Sequence, residues 1–351
     1  MTTEFPEALS CPVPKTNYDT VQMAHGAGGR LTAELIEKFF LPRFTNTILD
    51  QLDDHAIVHL PPGRLAVSTD SFVVDPIFFP GGDIGDLAIN GTVNDVAMSG
   101  AQPLYLTAAF VLEEGLPLAD LHRVLLSMEA AAKKAGVIII TGDTKVVNRG
   151  QCDKMFINTT GIGVVPDRIN ISASNLKPGD KIIVSGTIAD HGMAILTTRK
   201  GLSFRSQVAS DTAPLNEMVS SILNVCPEVH ALRDPTRGGV ATTLNEFAAS
   251  SHVGILIHEN RVPVKPAVRG ACEVLGLDPL LVANEGKLIA VVPPEFADPV
   301  LTVMQDNTQG KDAVMLGEVT SENKNLVVMR TQMGTHRIID MPLGEQLPRI
   351  C

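Results

Sequence analysis

The 351-residue chain contains no tryptophan and only 2 tyrosines, so it has few aromatic side chains on which nucleic-acid bases could stack. Basic residues are also in the minority, since 28 Lys and Arg stand against 39 Asp and Glu and give a net charge of −11. Proteins that neutralise a phosphate backbone carry the opposite balance. The sequence therefore predicts no nucleic-acid partner.

Cysteine is scarce as well, with 5 residues and no Cys-x-x-Cys spacing. An odd number without paired spacing indicates neither a disulfide framework nor a zinc site. No apolar run approaches the roughly 18 residues of a membrane span, and the first residues lack the basic and apolar regions of a signal peptide. We therefore expect a cytoplasmic protein without membrane contact.

The length predicts two domains, and the composition, 44 % hydrophobic and 19 % charged, is that of an ordinary globular protein. We predict a flexible arm over 1–20, a first domain over 21–166, a second over 167–340 and a mobile tail over 341–351. Periodicity predicts helices over 31–40, 83–101, 117–136, 191–200, 212–225, 239–251 and 266–276. It predicts strands over 63–74, 103–113, 137–147, 153–165, 253–258 and 287–293, one within 175–187, and a short one after 331.

A glycine cluster, Ala24-His-Gly-Ala-Gly-Gly-Arg30, stands just before the first predicted helix. Glycines at such a position let backbone N–H groups approach phosphate oxygens, and a helix N-terminus favours an anion. The cluster matches neither a Walker loop nor G-x-G-x-x-G. A phosphate-binding loop and a tight turn that leads into a helix therefore remain equally good interpretations.

Aspartates recur at the ends of predicted elements. Aspartate is rarely buried unless it is paired or bound to a cation, and Mg²⁺ prefers carboxylate oxygens and bridges nucleotide phosphates. The group favours a magnesium site, although a single member such as Asp234, which precedes Pro235, could be a turn former. Lys145 and Arg237 follow two of these aspartates and suit phosphate charge, with a solvated surface role as the alternative. The aspartates are Asp70, Asp75, Asp95, Asp143 and Asp234.

Eight blocks in order carry a resemblance that runs from about His25 to Cys351. They are "HGAGG", "STDSFVVDPIFFPGGDIG", "GTVNDVAMSGAQP", "FVLEEGLP", "TGDTKVV", "LRDPTRGG", "NEGK" and the terminal "PRIC". Together they resemble the HypE family of hydrogenase maturation proteins, the carbamoyl dehydratases. This family belongs to the superfamily of ATP-binding enzymes that includes aminoimidazole ribonucleotide synthetase and selenophosphate synthetase.

The resemblance implies a two-domain PurM-like α/β fold. In this fold the first domain joins that of a second subunit in a β-barrel-like homodimer core, with ATP bound near the interface. It also implies the reaction. Cys351 receives a carbamoyl group from a HypF-type carbamoyltransferase, and ATP-dependent dehydration converts the thiocarbamate into a thiocyanate. The cyanide then passes to the iron of a [NiFe]-hydrogenase precursor on the HypC–HypD complex.

The resemblance also implies roles for single residues. Asp70, Asp95 and Asp234 match the metal-binding aspartates of the family, for which we expect Mg²⁺. Lys145 and Glu285 match positions of the dehydration chemistry, and Glu285 is a plausible base, with an ion pair to Lys287 as the alternative. The residues that we expect to bind ATP are His25, Gly26, Gly28, Gly29, Asn94, Asp143, Lys145 and Arg237.

Some alternatives stay open at this stage. His25 and His191 could each contact phosphate or hold structural hydrogen bonds. The whole chain could instead be a carrier that binds nucleotide only to set a conformation and presents a carbamoylated thiol to partners. A small-molecule kinase or synthetase of the same superfamily would not need the terminal Pro-Arg-Ile-Cys. The presence of this terminal sequence therefore argues against a small-molecule kinase or synthetase.

Overall fold

The computed structural model describes residues 13–201, 208–344 and 349–351. The chain forms a four-stranded sheet in its first half and a seven-stranded sheet in its second, with helices packed against both. This architecture confirms the predicted α/β fold class. Within the described ranges, no helix combines the length and the apolar character that a membrane crossing requires.

From residue 13 onward, the first half contains six strands and four α-helices. The strands are β1 Arg64–Phe72, β2 Phe78–Phe79, β3 Gly82–Asp83, β4 Gln102–Glu113, β5 Ile138–Val147 and β6 Met155–Val165. The helices are α1 Arg30–Leu35, α2 Leu41–Phe44, α3 Ile84–Met98 and α4 Leu118–Ala135. The strand order is β1-β6-β4-β5, which leaves β1 and β5 as the two edges of the sheet.

One face of this sheet is covered and the other is open. Every second residue of β6 is buried, because its inner face packs against α3. On the outer face Leu65 and Val67 remain 56 % and 59 % exposed. The predicted helix 31–40 is α-helical only to Leu35, and a π-helical turn, Ile36–Phe40, links it to α2. That turn lets the consecutive side chains of Phe39 and Phe40 both enter the core.

The described residues of the second half form seven strands and five α-helices. The strands are β7 Lys181–Val184, β8 Ala231–Arg233, β9 Gly254–His258, β10 Ile289–Val292, β11 Val314–Thr320, β12 Val327–Arg330 and β13 His336–Ile339. The helices are α5 Asp190–Arg199, α6 Asn216–Val225, α7 Gly239–Ser251, α8 Pro266–Leu275 and α9 Ala297–Asp306. The strand order is β13-β12-β9-β11-β7-β10-β8.

Most of the predicted elements are present, and the differences have local causes. Sequence analysis gave no element at β2, β3, α2, β8, β11, β12 or α9. Five of these have four residues or fewer, which is too short for a periodic pattern to show, whereas β11 and α9 are longer and were missed. The helix predicted to begin at residue 212 begins at Asn216. Residues 210–215 have no regular secondary structure, and Thr212, Ala213 and Leu215 hydrogen-bond to the first domain. The predicted domain boundary at 166–167 lies between the end of β6 and the start of β7. Of the predicted arm, residues 1–12 lie outside the described residues, as do residues 345–348 of the predicted tail.

The two domains are joined by a buried asparagine. Asn94 of α3 is fully buried, and its side-chain nitrogen donates to the carbonyl oxygens of Ala213 and Glu285, each at 3.0 Å. Its side-chain oxygen accepts from the backbone N–H of Leu215 at 2.8 Å. All three bonds cross from the first domain to the second. The assignment of Asn94 to ATP stays a prediction, and the structure gives this side chain a second task as a link between domains.

Replacement of Asn94 by alanine should therefore destabilise the protein. The change leaves two carbonyl groups and one N–H buried without these partners, and we expect a loss of about 2–4 kcal/mol in the free energy of unfolding. Urea unfolding followed by circular dichroism measures this loss. Asn224→Ala, on the exposed side of α6, is the matched control and should stay within about 0.5 kcal/mol of the parent. Equal stability of the two variants would contradict the linking role.

Candidate functional site

Three of the predicted aspartates meet where α3 faces β1 and β8. Asp70 lies on β1, Asp95 lies on α3, and Asp234 directly follows β8. Burial raises the pKa of Asp234 to about 7, and the neighbouring charges of Asp95 and then Asp70 add to this rise. Burial also raises the pKa of Asp95, against the hydrogen bond that the Ser68 hydroxyl donates to it at 2.7 Å. The three carboxylates are therefore close enough to repel one another.

Glu285 belongs to the same group and is more deeply buried. Its pKa is raised well above the ordinary value, first by burial and then by the charges of Asp234 and Asp211. One carboxylate oxygen, Oε1, has no hydrogen-bond partner among the described residues. The ion pair recorded for Lys287 is with Asp211, at 3.8 Å between Nζ and Oδ2, rather than with Glu285. A carboxylate in this setting is a stronger base than that of an ordinary glutamate.

The neighbours of Glu285 hold three sequence motifs together. The side chain of Asn284 donates to the carbonyl oxygen of Pro235 at 2.9 Å and accepts from the backbone N–H of Ala189 at 2.7 Å. Gly286 leaves room for the chain that carries Asp211, since a Cβ there would lie 1.8 Å from the Asp211 carbonyl oxygen. The "NEGK" block is thereby fixed against "RDPTRGG" and against the start of α5.

The last residues of the chain are docked beside the end of β1. The backbone N–H of Val73 donates to the Cys351 oxygen at 3.1 Å, and that of Asp75 donates to the Arg349 oxygen at 3.2 Å. Ile350 is only 5 % exposed, which the sequence of the tail did not indicate. The aromatic ring of Phe72, next to Val73, packs over Gly91, where an added Cβ would lie 3.9 Å from a Glu285 oxygen. Cys351 and Glu285 therefore border the same strand end.

Polar side chains hold this docked segment in place. Arg199 of α5 donates to the carbonyl oxygens of Asp75 and Arg349, and Arg349 pairs with Asp153 at 2.8 Å. His191 is fully buried, and its Nε2 lies 2.5 Å from the Ile350 carbonyl oxygen. Burial lowers the pKa of His191, and the charge of Asp211 opposes this shift. Of the two uses left open for His191, the structure shows a hydrogen bond to the tail.

Most of the residues expected to bind ATP gather at the other edge of the first sheet. Asp143 and Lys145 lie exposed on β5 and pair at 3.2 Å. The glycine cluster passes close to this strand, since a Cβ on Gly26 would lie 2.5 Å from the backbone nitrogen of Val146. Gly28 has a φ of +77°, a conformation that favours glycine, and Gly29 precedes α1. His25 accepts a hydrogen bond from the backbone N–H of Gln22 at 2.9 Å and so holds a structural bond.

A cavity of about 220 Å³ opens beside these residues. Asp143 and Thr144 of β5 border it, and Thr32 of α1 reaches its other side. The remaining wall is largely apolar, and its aromatic residues are Phe40, Phe44 and Phe110. An apolar cavity with polar groups at its border is the usual form of a small-molecule site.

The predicted site residues therefore form two groups at opposite edges of one sheet. The carboxylate group lies by β1, whereas Asp143 and Lys145 lie on β5, with β6 and β4 between them. At about 4.8 Å per strand, the two edges are roughly 14 Å apart within one chain. Arg237 lies with the first group, close enough to Asp95 to lower its pKa. Asp75 belongs to neither group, because its backbone pairs with the tail.

The carboxylate group suits a hard cation by its chemistry. Its donors are oxygens, and two buried carboxylate oxygens, Asp211 Oδ2 and Glu285 Oε1, have no hydrogen-bond partner among the described residues. Within the described ranges, no three His, Cys, Asp or Glu side chains already stand at metal-binding positions. Carboxylate oxygens are nevertheless the donors that magnesium prefers, and a bound cation would relieve the repulsion among them.

The remaining cysteines differ from Cys351 in their setting. Burial raises the pKa of Cys226 and of Cys272 to about 11, and it has the same effect on Cys152, together with the charge of Glu113. Such thiols carry little thiolate and react slowly. Cys11 lies outside the described residues.

Sequence analysis missed the segment Ser210–Thr212. Ser210 contacts His191, Asp211 accepts from the backbone N–H of Glu285 at 3.2 Å, and Thr212 contacts Asn90 of α3. The segment has no periodicity and no motif. An aspartate three residues before Pro214 is typical of an ordinary loop, so only the tertiary contacts identify the segment.

Comparison with known proteins places the chain among characterised sequences. Residues 52–165 match the N-terminal domain of AIR synthase related proteins, and residues 177–329 match the C-terminal domain. "Carbamoyl dehydratase HypE" of Azotobacter vinelandii is 52 % identical over 332 residues, which cover 95 % of this chain and 97 % of that protein.

Solved structures agree with this result. A crystal structure of hydrogenase maturation protein HypE in complex with ATP superposes with a TM-score of 0.91 at 52 % identity, covering 94 % of this chain and 99 % of that one. A crystal structure of a HypE–HypF complex has a TM-score of 0.78 at 48 % identity, covering 90 % of this chain and 100 % of that one.

The raised pKa of Asp234 makes a prediction about stability. The folded state holds a proton on this carboxyl up to about pH 7, whereas an ordinary aspartate releases it near 3.8, so stability falls as the pH rises through this window. Asp234→Asn removes that cost. Between pH 4 and pH 8 its free energy of unfolding should fall by about 2–4 kcal/mol less than that of the parent.

Urea unfolding without divalent cations, at a series of pH values, measures the difference. Asp298→Asn, at an exposed position on α9, serves as the control and should keep the profile of the parent. If the stability of Asp234→Asn depends on pH in the same way as that of the parent, the loss of stability with rising pH does not come from this carboxyl.

Proposed function

The chain belongs to the HypE family of hydrogenase maturation proteins, and on that basis we propose that it dehydrates a carbamoyl group carried on its own Cys351. In this reaction Cys–S–C(=O)–NH₂ and ATP give Cys–S–C≡N, ADP and phosphate. The carbamoyl oxygen leaves in the phosphate, and the two N–H protons are lost. The thiocyanate then supplies a cyanide ligand for the iron of a [NiFe]-hydrogenase.

The observation that carries the proposal is the docked position of Cys351. A cysteine on a solvent-exposed tail would have no reaction partner within its own chain. Here the tail pairs with Val73 and Asp75, and the neighbouring Phe72 and Gly91 lead to Glu285. A group carried on the sulfur is thereby kept in the same region as a buried carboxyl with a raised pKa.

The chemistry requires an activated oxygen and a base. Oxide and hydroxide are very poor leaving groups, and transfer of the γ-phosphoryl group of ATP to the carbamoyl oxygen converts it into phosphate, a good one. The N–H protons must then move to a base near the carbamoyl nitrogen. Glu285 suits this role, because its raised pKa makes its carboxylate a stronger base than that of an ordinary glutamate and Oε1 has no hydrogen-bond partner among the described residues.

The edge at β5 supports the placement of the nucleotide. We assign the base of ATP to the apolar cavity beside Phe40 and Phe110, and the phosphates to the glycine cluster next to Val146. Lys145 would then neutralise charge on the transferring phosphoryl group, in place of its exposed pair with Asp143.

Two protomers would bring the two edges together. The outer face of the first sheet exposes Leu65 and Val67, an apolar surface of the kind that forms interfaces. If two such sheets close into one barrel, the edge β5 of one protomer lies beside the edge β1 of the other. Lys145 and Asp143 of one protomer would then approach the carboxylate group of the other, and the roughly 14 Å separation within a chain would no longer matter.

Magnesium completes the proposed site. Asp70, Asp95 and Asp234 would hold it, and it would supply positive charge to the phosphoryl groups of ATP. The protein contributes an arrangement in which these carboxylates are already held together by burial and by the bond from Ser68.

The partners follow from the chemistry of the tail. The carbamoyl group must come from a carbamoyltransferase of the HypF type, and the solved HypE–HypF complex of a relative supports this assignment. The cyanide must go to an iron-holding acceptor, for which we propose the HypC–HypD complex. Both exchanges require the tail to leave the docked position, because Ile350 is buried there.

The reaction can be tested by intact mass. The carbamoylated protein should lose about 18 Da, the mass of one water, only when MgATP is present. ¹⁸O placed in the carbamoyl group should appear in the released phosphate. Glu285→Gln keeps the volume but cannot take up the N–H protons, so it should slow the loss at least about tenfold while ATP binding is retained.

Two controls sharpen this experiment. Cys351→Ala should take up no carbamoyl group, and Glu322→Gln, at an exposed turn, should react as the parent does. A non-catalytic carrier would bind ATP and keep its full mass. That result with the purified carbamoylated parent would reject the dehydratase in favour of the carrier.

The metal assignment has its own test. Asp95→Asn keeps the size of the side chain and removes a charge that balances the cation, so MgATP turnover should fall by about a hundredfold or more. Thermal unfolding should change little or show slight stabilisation, since a repelling charge is removed. Asp312→Asn, exposed before β11, is the control. Full turnover of Asp95→Asn at saturating Mg²⁺ would remove Asp95 from the metal site.

A further inference from the structure

The penultimate residue of the docked tail is held by a buried histidine for which the chemistry above needs no role. Ile350 offers its carbonyl oxygen to Nε2 of His191, 2.5 Å away, while the backbone of the residues on either side pairs with Val73 and Asp75, which follow β1. His191 is the second residue of α5 and is fully buried. Its ring stands edge-on to Phe79, with centroids 5.6 Å apart and an interplanar angle of 89°.

The hydrogen-bond partners determine which ring nitrogen carries the proton. A carbonyl oxygen only accepts, so Nε2 of His191 must donate to Ile350. On the other side, Nδ1 lies 2.8 Å from the Ser210 hydroxyl oxygen. That oxygen accepts from the backbone N–H of Thr212 at 3.2 Å, which leaves the hydroxyl proton for Nδ1. The hydrogen bonds therefore all run in one direction. The Thr212 N–H donates to the Ser210 hydroxyl, that hydroxyl donates to Nδ1 of His191, and Nε2–H of His191 donates to the Ile350 carbonyl.

The same segment also binds the backbone of Glu285, the proposed base. Asp211, between Ser210 and Thr212, accepts from the backbone N–H of Glu285. Thr212 in turn receives a hydrogen bond from Asn90 of α3 at 3.2 Å. Three consecutive residues therefore fix the tail through His191, the proposed base through Asp211 and the first domain through Thr212. A shift of this segment would move the tail and the base together.

We propose that His191 is a positioning residue that holds Cys351 for the reaction by donating from Nε2 to the Ile350 carbonyl, with Ser210 fixing its tautomer. The inference rests on the proposed function, since it names the group that orients the reacting cysteine. His191 recognises the tail through the backbone carbonyl of Ile350, one residue before the reacting cysteine. Any residue whose side chain is buried equally well could therefore replace Ile350 without loss of this hydrogen bond.

The first readout is the reactivity of the Cys351 thiol. The full-length protein without ATP is alkylated with iodoacetamide for increasing times, and Glu-C cleavage after Glu345 releases the peptide Gln346–Cys351 for mass spectrometry. His191→Leu removes the donor at similar volume, and we expect about tenfold faster alkylation of Cys351. His191→Gln retains an N–H donor at a similar reach and should stay within about threefold of the parent. Ser210→Ala should fall between them, because Nδ1 loses its donor.

A matched control separates this effect from the general cost of replacing a buried histidine. His122 is also buried and also stands edge-on to a phenylalanine, Phe39, at 6.1 Å and 86°. It lies on α4, away from the tail. His122→Leu should leave the alkylation rate of Cys351 within about twofold of the parent.

The second readout is catalytic. In single-turnover loss of water from the carbamoylated protein, His191→Leu should lower the rate constant at saturating ATP at least about tenfold. The ATP concentration for half-maximal rate should stay within about threefold, and His191→Gln should restore most of the rate constant. A purely structural role would not divide the effects in this way.

The outcomes separate the two proposals. The positioning role is rejected, while the dehydratase stands, if Cys351 of His191→Leu is alkylated at the parent rate or no faster than Cys351 of His122→Leu. It is also rejected if His191→Leu keeps the parent rate constant for the loss of water. If alkylation accelerates but the parent never loses water with MgATP, the proposed function fails. The positioning role fails with it, and only the docking contact remains.

Discussion

The hydrogen bonds of Asn284 hold the candidate site in one piece. This single buried side chain binds the carbonyl of Pro235, next to Asp234, and the N–H of Ala189, two residues before His191. Its own neighbour in the chain is Glu285. Three segments that lie about 50 residues or more apart in sequence are thereby held within hydrogen-bonding distance. A buried amide suits this task, because it donates and accepts at once without carrying a charge that would need a partner.

The segments that Asn284 connects also bring carboxylates close together, which costs free energy. Burial and neighbouring carboxylates raise the pKa values of Asp95, Asp234 and Glu285, so holding these groups together costs free energy. Such a group is a sign of function rather than of stability. A bound cation, or transfer of a proton to one of the carboxylates, would relieve part of the repulsion.

The two edges of the first sheet border different parts of the proposed site. One edge borders the carboxylate group and the docked tail, and the other borders the glycine cluster and the apolar cavity. A reaction between ATP and a group on Cys351 needs both. The exposed apolar face between these edges gives a physical reason for a second protomer, because barrel closure buries that face and brings opposite edges together in one step. Docking of the tail and pairing of two chains would then be separate requirements of one reaction.

The sequence alone determined the α/β class, the longer helices and strands, the glycine cluster, the oxygen donors at Asp70, Asp95 and Asp234, and the importance of Cys351. The elements, the glycine cluster and the acidic positions rest on local patterns, such as periodicity, glycine spacing or an acid at the end of an element. The α/β class, the choice of these three aspartates and the importance of Cys351 rest on the resemblance of the sequence blocks to the HypE family. Only the tertiary structure decided that Asp143 and Lys145 lie on the far edge from Asp70, that Ile350 is buried, and that Ser210 and His191 meet the tail. Strand order and contacts between distant segments decide these features. A pKa such as that of Glu285 likewise depends on burial and on charges brought from four other segments, and no local pattern encodes either.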